Sequence, residues 1–81
     1  MNRAEIEEKV RSILIEDLEV DESKVFPEAS LKEDMEIDSL DFVDIVVYVE
    51  KTFAFKIERE EMVGIKTFRQ FCDYVEKKLS K

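Results

Sequence analysis

The sequence has no histidine and no tryptophan, and only one glycine, one proline and one cysteine in 81 residues. Without histidine there is no Ser–His or Cys–His pair, so the common route to an activated nucleophile is closed. Phosphate-cradling loops need several glycines, and the chain has Gly64 alone. The lone Cys72 excludes an internal disulfide framework and fits a reducing compartment. Scarce glycine and proline suit helices joined by few tight turns and argue against a sheet-rich fold. No apolar run approaches the ~18 residues of a membrane span, and the N-terminus lacks the apolar core of a signal peptide. The expected location is the cytoplasm.

What is present is charge and aliphatic surface in nearly equal measure. Hydrophobic residues make up 44% and charged residues 42% of the chain, a composition that folds instead of staying disordered. Residues 1–81 are expected to form one small domain with a modest core. The formal net charge is −8, and its placement is uneven. From Glu28 to Glu50 there are eight acids (Glu28, Glu33, Asp34, Glu36, Asp38, Asp41, Asp44, Glu50) against Lys32 alone, while the other 13 acids and 12 bases nearly cancel. That field disfavours nucleic acid, whose phosphates recruit Lys and Arg, and favours basic patches on partner proteins. An acidic run that merely keeps a helix soluble is the simpler alternative.

The chain opens with an amphipathic pattern. Ile6, Val10, Ile13 and Leu14 recur at helical spacing, which predicts a helix over about Arg3 to Asp17 with Asn2 and Glu5 as its capping box. A connection from about Leu18 to Ile37 follows, broken by Asp21-Glu22-Ser23 and Pro27. Val20, Val25, Phe26, Leu31, Met35 and Ile37 read as anchors pinning it to the core, with one short helical turn at Ser30 to Glu33. Loops of this length are often functional.

Ile37-Asp38-Ser39-Leu40-Asp41 is the point around which the rest is organised. Asp38 is a good N-cap, which puts Ser39 in the first turn of a helix reaching Phe53, beside the positive end of its dipole. At ~100° per residue, Phe42, Ile45, Val46, Val49 and Phe53 face the core, with Val43 at the edge. Leu40, Asp41, Asp44, Val47, Tyr48 and Lys51 occupy the opposite arc. Aliphatics, a tyrosine and carboxylates on one exposed face make a plausible docking surface, although scattered exposed apolar residues are ordinary. Beyond Phe53, Glu58 to Val63 predicts a short third helix ended by Gly64 in a left-handed conformation. Ile57, Met62 and Ile65 are expected to pack inward. Thr67 and Gln70 form a second capping box, and Phe68, Phe71, Cys72, Val75 and Leu79 line one face of a last helix. Cys72 is then a small buried hydrophobe. The fold class is all-α, a small bundle of three main helices plus one short helix.

Catalysis by this chain has little to work with, since Ser39 has no obvious base and the domain has little room for a pocket. Asp34-x-Glu36-x-Asp38 briefly resembles a calcium loop. An EF-hand needs Gly at the sixth position and Glu at the twelfth, where Ser39 and Ile45 stand, so no metal site is assigned.

Asp38-Ser39-Leu40-Asp41, the preceding Leu31-x-x-Asp34-Met35 and the following Val43-x-Ile45-Val46-x-x-Val49-Glu50 resemble the acyl carrier protein family over nearly the whole chain. The resemblance implies a non-catalytic carrier with 4′-phosphopantetheine attached to Ser39 by a transferase that uses coenzyme A. It implies acyl groups carried as thioesters for fatty acid, polyketide or related lipid biosynthesis. Asp38, Leu40, Asp41 and Asp44 match positions where the family meets its transferase and its acyl-transferring and chain-elongating enzymes; Val47 and Tyr48 extend that face. An acyl chain would shelter between the second and third helices against Phe42, Val43, Val46, Met62 and Ile65, with Phe42 narrowing the entrance. A monomer is expected. Two departures stand out. Glu36 replaces the family's usual glycine and is expected to reroute the loop into Ser39, and Lys51 interrupts the acidic second helix. Both point to a specialised pathway. The alternative from another class is an unmodified acidic helical adaptor binding a basic partner; a peptidyl carrier is the third option.

Overall fold

The computed structural model describes residues 2–80, with Arg59 described by its backbone alone. Three α-helices carry the fold: α1 (Arg3–Ser12), α2 (Ser39–Phe53) and α3 (Phe68–Leu79). Single 3-10 turns at Glu22–Lys24 and Arg59–Met62 interrupt the connections. No strand occurs among the described residues, only an isolated antiparallel bridge between Ser30 and Thr67. This is the small all-α, three-helix fold that the sequence pattern predicts, with two short 3-10 turns where one short helix is expected.

Each α-helix begins where a side chain satisfies N–H groups that have no intrahelical partner. At α1 the Asn2 side chain accepts from the Glu5 N–H at 2.9 Å while Glu5 accepts from the Asn2 N–H at 3.2 Å. At α3 the Thr67 hydroxyl accepts from Gln70 N–H, and the Gln70 amide oxygen accepts from Thr67 and Lys66. Helix α1 continues as a π-helical turn over Ile13–Asp17. That wider turn keeps both Ile13 and Leu14 buried, and it closes with Leu18 N–H on the Ile13 carbonyl at 3.3 Å.

The core joins one stripe from each helix: Ile6, Val10 and Leu14; Ile45, Val49 and Phe53; Phe68, Phe71, Cys72 and Val75. Ile13 and Met62 add to it, and so do five loop residues, Val25, Ala29, Leu31, Met35 and Ile37. Cys72 has no exposed surface, and burial pushes its thiol up to about 12, which leaves it an inert apolar filler. Phe26 departs from expectation. It is 44% exposed, and the fully buried Ala29 is the anchor in that stretch. The Asp21-Glu22-Ser23 cluster likewise forms a 3-10 turn, because the Asp21 carboxylate accepts from the Ser23 N–H at 2.9 Å.

The third segment is shorter than the expected Glu58–Val63 helix, and Gly64 is not left-handed. The left-handed positions are Glu19, Glu36 and Ala54. Ala54 ends α2 at φ 58°, ψ 46°, and the Glu50 carboxylate then fixes the exit by accepting from the Ile57 N–H at 2.7 Å. The Arg59–Met62 turn is held to α3 through Glu61, whose Oε1 accepts from the Tyr74 hydroxyl at 2.8 Å and from Lys78 Nζ at 3.2 Å. Met62 is buried beneath it, and Ile57 and Ile65 are half-buried.

Stability measurements check two of these positions. Ala54→Gly relieves a left-handed alanine and is expected to raise stability by about 0.5–1 kcal/mol in urea denaturation. The second concerns Glu61, held below the ordinary carboxylate value of 4.5 chiefly by the Tyr74 hydrogen bond. A lowered folded-state value means its stabilisation is complete above the unfolded value and is lost as pH falls through the folded one. The stability gap between the native chain and Glu61→Gln should therefore hold steady at neutral pH and shrink below 4.5.

Candidate functional site

Helix α2 starts at a serine because Asp38 caps it. The Asp38 Oδ1 accepts from the Asp41 N–H at 2.9 Å, and its carbonyl accepts from Phe42 N–H at 2.9 Å. Ser39 is the first residue of the helix and is exposed. Its hydroxyl makes no hydrogen bond among the described residues, and the N–H groups of Ser39 and Leu40 precede the first intrahelical bond. Ile37, buried just before it, donates its N–H to the Leu31 carbonyl at 2.9 Å and so fixes the chain's entry into α2.

Glu36 does not reroute this entry. It adopts φ 55°, the left-handed conformation that a glycine takes freely, with its carboxylate 3.6 Å from Lys24. The loop keeps a glycine-compatible path and adds an exposed side chain to it.

The expected docking residues fall together on the outer side of α2. Leu40 is 77% exposed, Val47 and Tyr48 are exposed, Asp38 and Asp44 face solvent, and Asp41 is half-buried. Sequence reasoning missed Val63, which is 79% exposed on the neighbouring segment. Its only signal was an apolar residue beside the helix-ending Gly64.

Phe42, Val43, Val46, Met62 and Ile65 lie on the walls of two open grooves. An open groove of about 840 Å³ runs from Ser39 past Phe42, Val43, Met62 and Ile65. A second, of about 320 Å³, is walled by Phe42, Val43, Val46 and Met62. Phe42 belongs to both and is half-buried, in contrast to its expected place in the core stripe. Its ring meets Phe71 edge-on, with centroids 6.5 Å apart. Val43 is exposed and Val46 half-buried. No trio of Cys, Asp or Glu among the described residues is arranged to hold a metal ion.

Fold and site together define a small helical protein that displays one hydroxyl at a helix start beside an apolar groove. Residues 8–75 match the family described as phosphopantetheine attachment site. The chain is 41% identical over 80 residues to an acyl carrier protein of Thermosynechococcus vestitus, covering 99% of each. It is 45% identical to acyl carrier proteins of Rubrobacter xylanophilus, over 93% of both chains, and of Thermotoga maritima, over 96% of both. The chain belongs to the phosphopantetheine-binding acyl carrier protein family, whose members are carriers, not catalysts, and hold 4′-phosphopantetheine covalently. The residues here fit that group: a free, exposed hydroxyl to esterify, and backbone N–H groups beside it to face a phosphodiester.

Two substitutions check the geometry. Asp38→Ala removes the cap and is expected to lower stability by about 1 kcal/mol, with Asp38→Asn nearly restoring it. Glu36→Gly should raise stability by about 0.5–1 kcal/mol in urea denaturation, and no change would mean the left-handed turn carries no strain.

Proposed function

We propose that Ser39 carries 4′-phosphopantetheine and that the whole chain acts as one acyl carrier domain in fatty acid, polyketide or related lipid biosynthesis. The observation that carries this reading is the unengaged Ser39 hydroxyl on the wall of the same groove that Phe42, Val43, Met62 and Ile65 line. When bound, the group's terminal thiol supplies the thioester on which acyl intermediates travel.

The chain's own residues do the rest. The Asp38 cap satisfies an N–H of the first turn of α2 and so fixes where the helix, and with it Ser39, begins. The Ser39 and Leu40 N–H groups, free of intrahelical partners, would be available to a phosphodiester on Ser39, and the Asp38 and Asp41 carboxylates beside it would repel that anion. Asp38, Leu40, Asp41, Asp44, Val47 and Tyr48 form the docking face. The apolar members supply contact area, and the carboxylates orient basic patches on the phosphopantetheinyl transferase and on acyl-transferring and chain-elongating enzymes. The carrier works as a monomer in the cytoplasm, and docking raises the effective concentration of its cargo at each enzyme. The exposed Glu36 carboxylate and Lys51 fit a partner set of a specialised pathway.

The test is the intact mass after incubation with coenzyme A and a broad-specificity phosphopantetheinyl transferase. One phosphopantetheine on the native chain and none on Ser39→Ala is expected. No addition to folded native chain, by this or the organism's own transferase, would favour the unmodified acidic adaptor. With the arm in place, Phe42→Ala is expected to lengthen the acyl chains shielded from a thioesterase. Unchanged protection across chain lengths would remove Phe42 from the channel entrance.

A further inference from the structure

We infer that Lys32 and Lys66 form a cationic rim on the Ser39 groove that holds the carboxylate end of an acyl cargo; the inference rests on the proposed carrier reading.

The two lysines are brought together by the backbone. Leu31 donates its N–H to the Lys66 carbonyl at 2.9 Å, and Ser30 pairs with Thr67 in the isolated bridge. Lys32 and Lys66 flank that pairing and line the same groove as Ser39. Both are exposed, and neither makes an ion pair among the described residues, which is equally true of Lys9, Lys51, Lys56 and Lys77; what sets Lys32 and Lys66 apart is their shared groove.

Their setting is unusual for this chain. Three other grooves are each lined by four acids and one base, as an overall charge of −8 leads one to expect. The Ser39 groove has two of each, Lys32 and Lys66 against Glu33 and Asp38. The Asp38 carboxylate is engaged in capping α2 at the Ser39 end. Glu33 shares the rim with the lysines, and it and Asp38 are the two anions that compete with a cargo carboxylate there.

The floor between is apolar, with Leu31, Ile37, Phe42 and Met62. An apolar floor under a cationic rim matches an amphiphile: an acyl chain long enough to lie along the groove and ending in a carboxylate. A phosphodiester on Ser39 already has the α2 N-terminus to face, so the lysines are left for what lies deeper along the groove.

The experiment loads the full chain with methyl-ended and carboxylate-ended acyl-phosphopantetheine of equal length and follows thioester cleavage by hydroxylamine. Intact mass first establishes that the cargo is on the chain. Failure at that step overturns the carrier reading itself, and with it the basis for this inference. The carboxylate-ended cargo is expected to lose protection by about threefold in Lys32→Gln/Lys66→Gln, the effect of a partly exposed ion pair, and to keep it in Lys32→Arg/Lys66→Arg. Protection of the methyl-ended cargo should not change. Equal protection of the two cargoes in the native chain would overturn the inference. So would a loss that is the same for both cargoes, since the lysines would then be acting on the phosphodiester or on the fold.

Discussion

The first backbone N–H groups of α3 have no partners in their own helix, and the long loop supplies them. Phe68 donates to the Ala29 carbonyl and Arg69 to the Pro27 carbonyl, each at 3.0 Å, while Leu31 returns a bond to Lys66. Glu28 adds an ion pair to Arg69 across the same seam. Phe68 and Ala29 are buried, so leaving that donor unmet would cost about 1–3 kcal/mol, and the bond ties the loop to the start of α3. Ala29, whose carbonyl takes the Phe68 bond, is fully buried in this clasp. From the clasp the chain has only a few residues in which to reach α2. The Ile37–Leu31 bond and the left-handed Glu36 make that turn, and they leave Ser39 at the groove's edge.

The acidic stretch reads differently once its partners are known. Of the eight acids from Glu28 to Glu50, Asp34 holds the Ser30 N–H at 2.7 Å, Asp38 caps α2, and Glu50 holds the Ile57 N–H. Glu28 and Glu36 face Arg69 and Lys24. The positions of those carboxylates are set by the fold. Glu33, Asp41 and Asp44 are left without such partners among the described residues. A stretch that looks like one acidic surface is thus partly a set of backbone clamps. The same economy appears at Glu61, which joins the short third segment to α3.

Local chemistry was legible in the sequence, and long-range chemistry was not. The Asn2, Asp38 and Thr67 caps, the helix faces and the buried Cys72 each depend on residues within one or two turns, so spacing alone reveals them. Gly64 misled because the rule that gives left-handed positions to glycine assumes there is glycine available. Among the described residues three positions are left-handed, and Glu19, Glu36 and Ala54 fill them. The clasp was invisible because its partners lie far apart in the chain and bond through backbone, which leaves no side-chain pattern. Phe26 was assigned to the core on hydrophobicity, but the clasp takes the small Ala29 there instead. The grooves were legible as lining residues, and the charge balance on their rim was not.

The clasp, and not helix propensity alone, sets where Ser39 stands. Amide hydrogen exchange resolved by residue tests this most directly. The Leu31, Ile37, Phe68 and Arg69 amides are expected to exchange as slowly as those inside α1 and α3, while Ser39 and Leu40 exchange freely. Loop and α3-start amides that exchange as fast as those of Ser39 would contradict it, for the serine would then be carried by a loose tether.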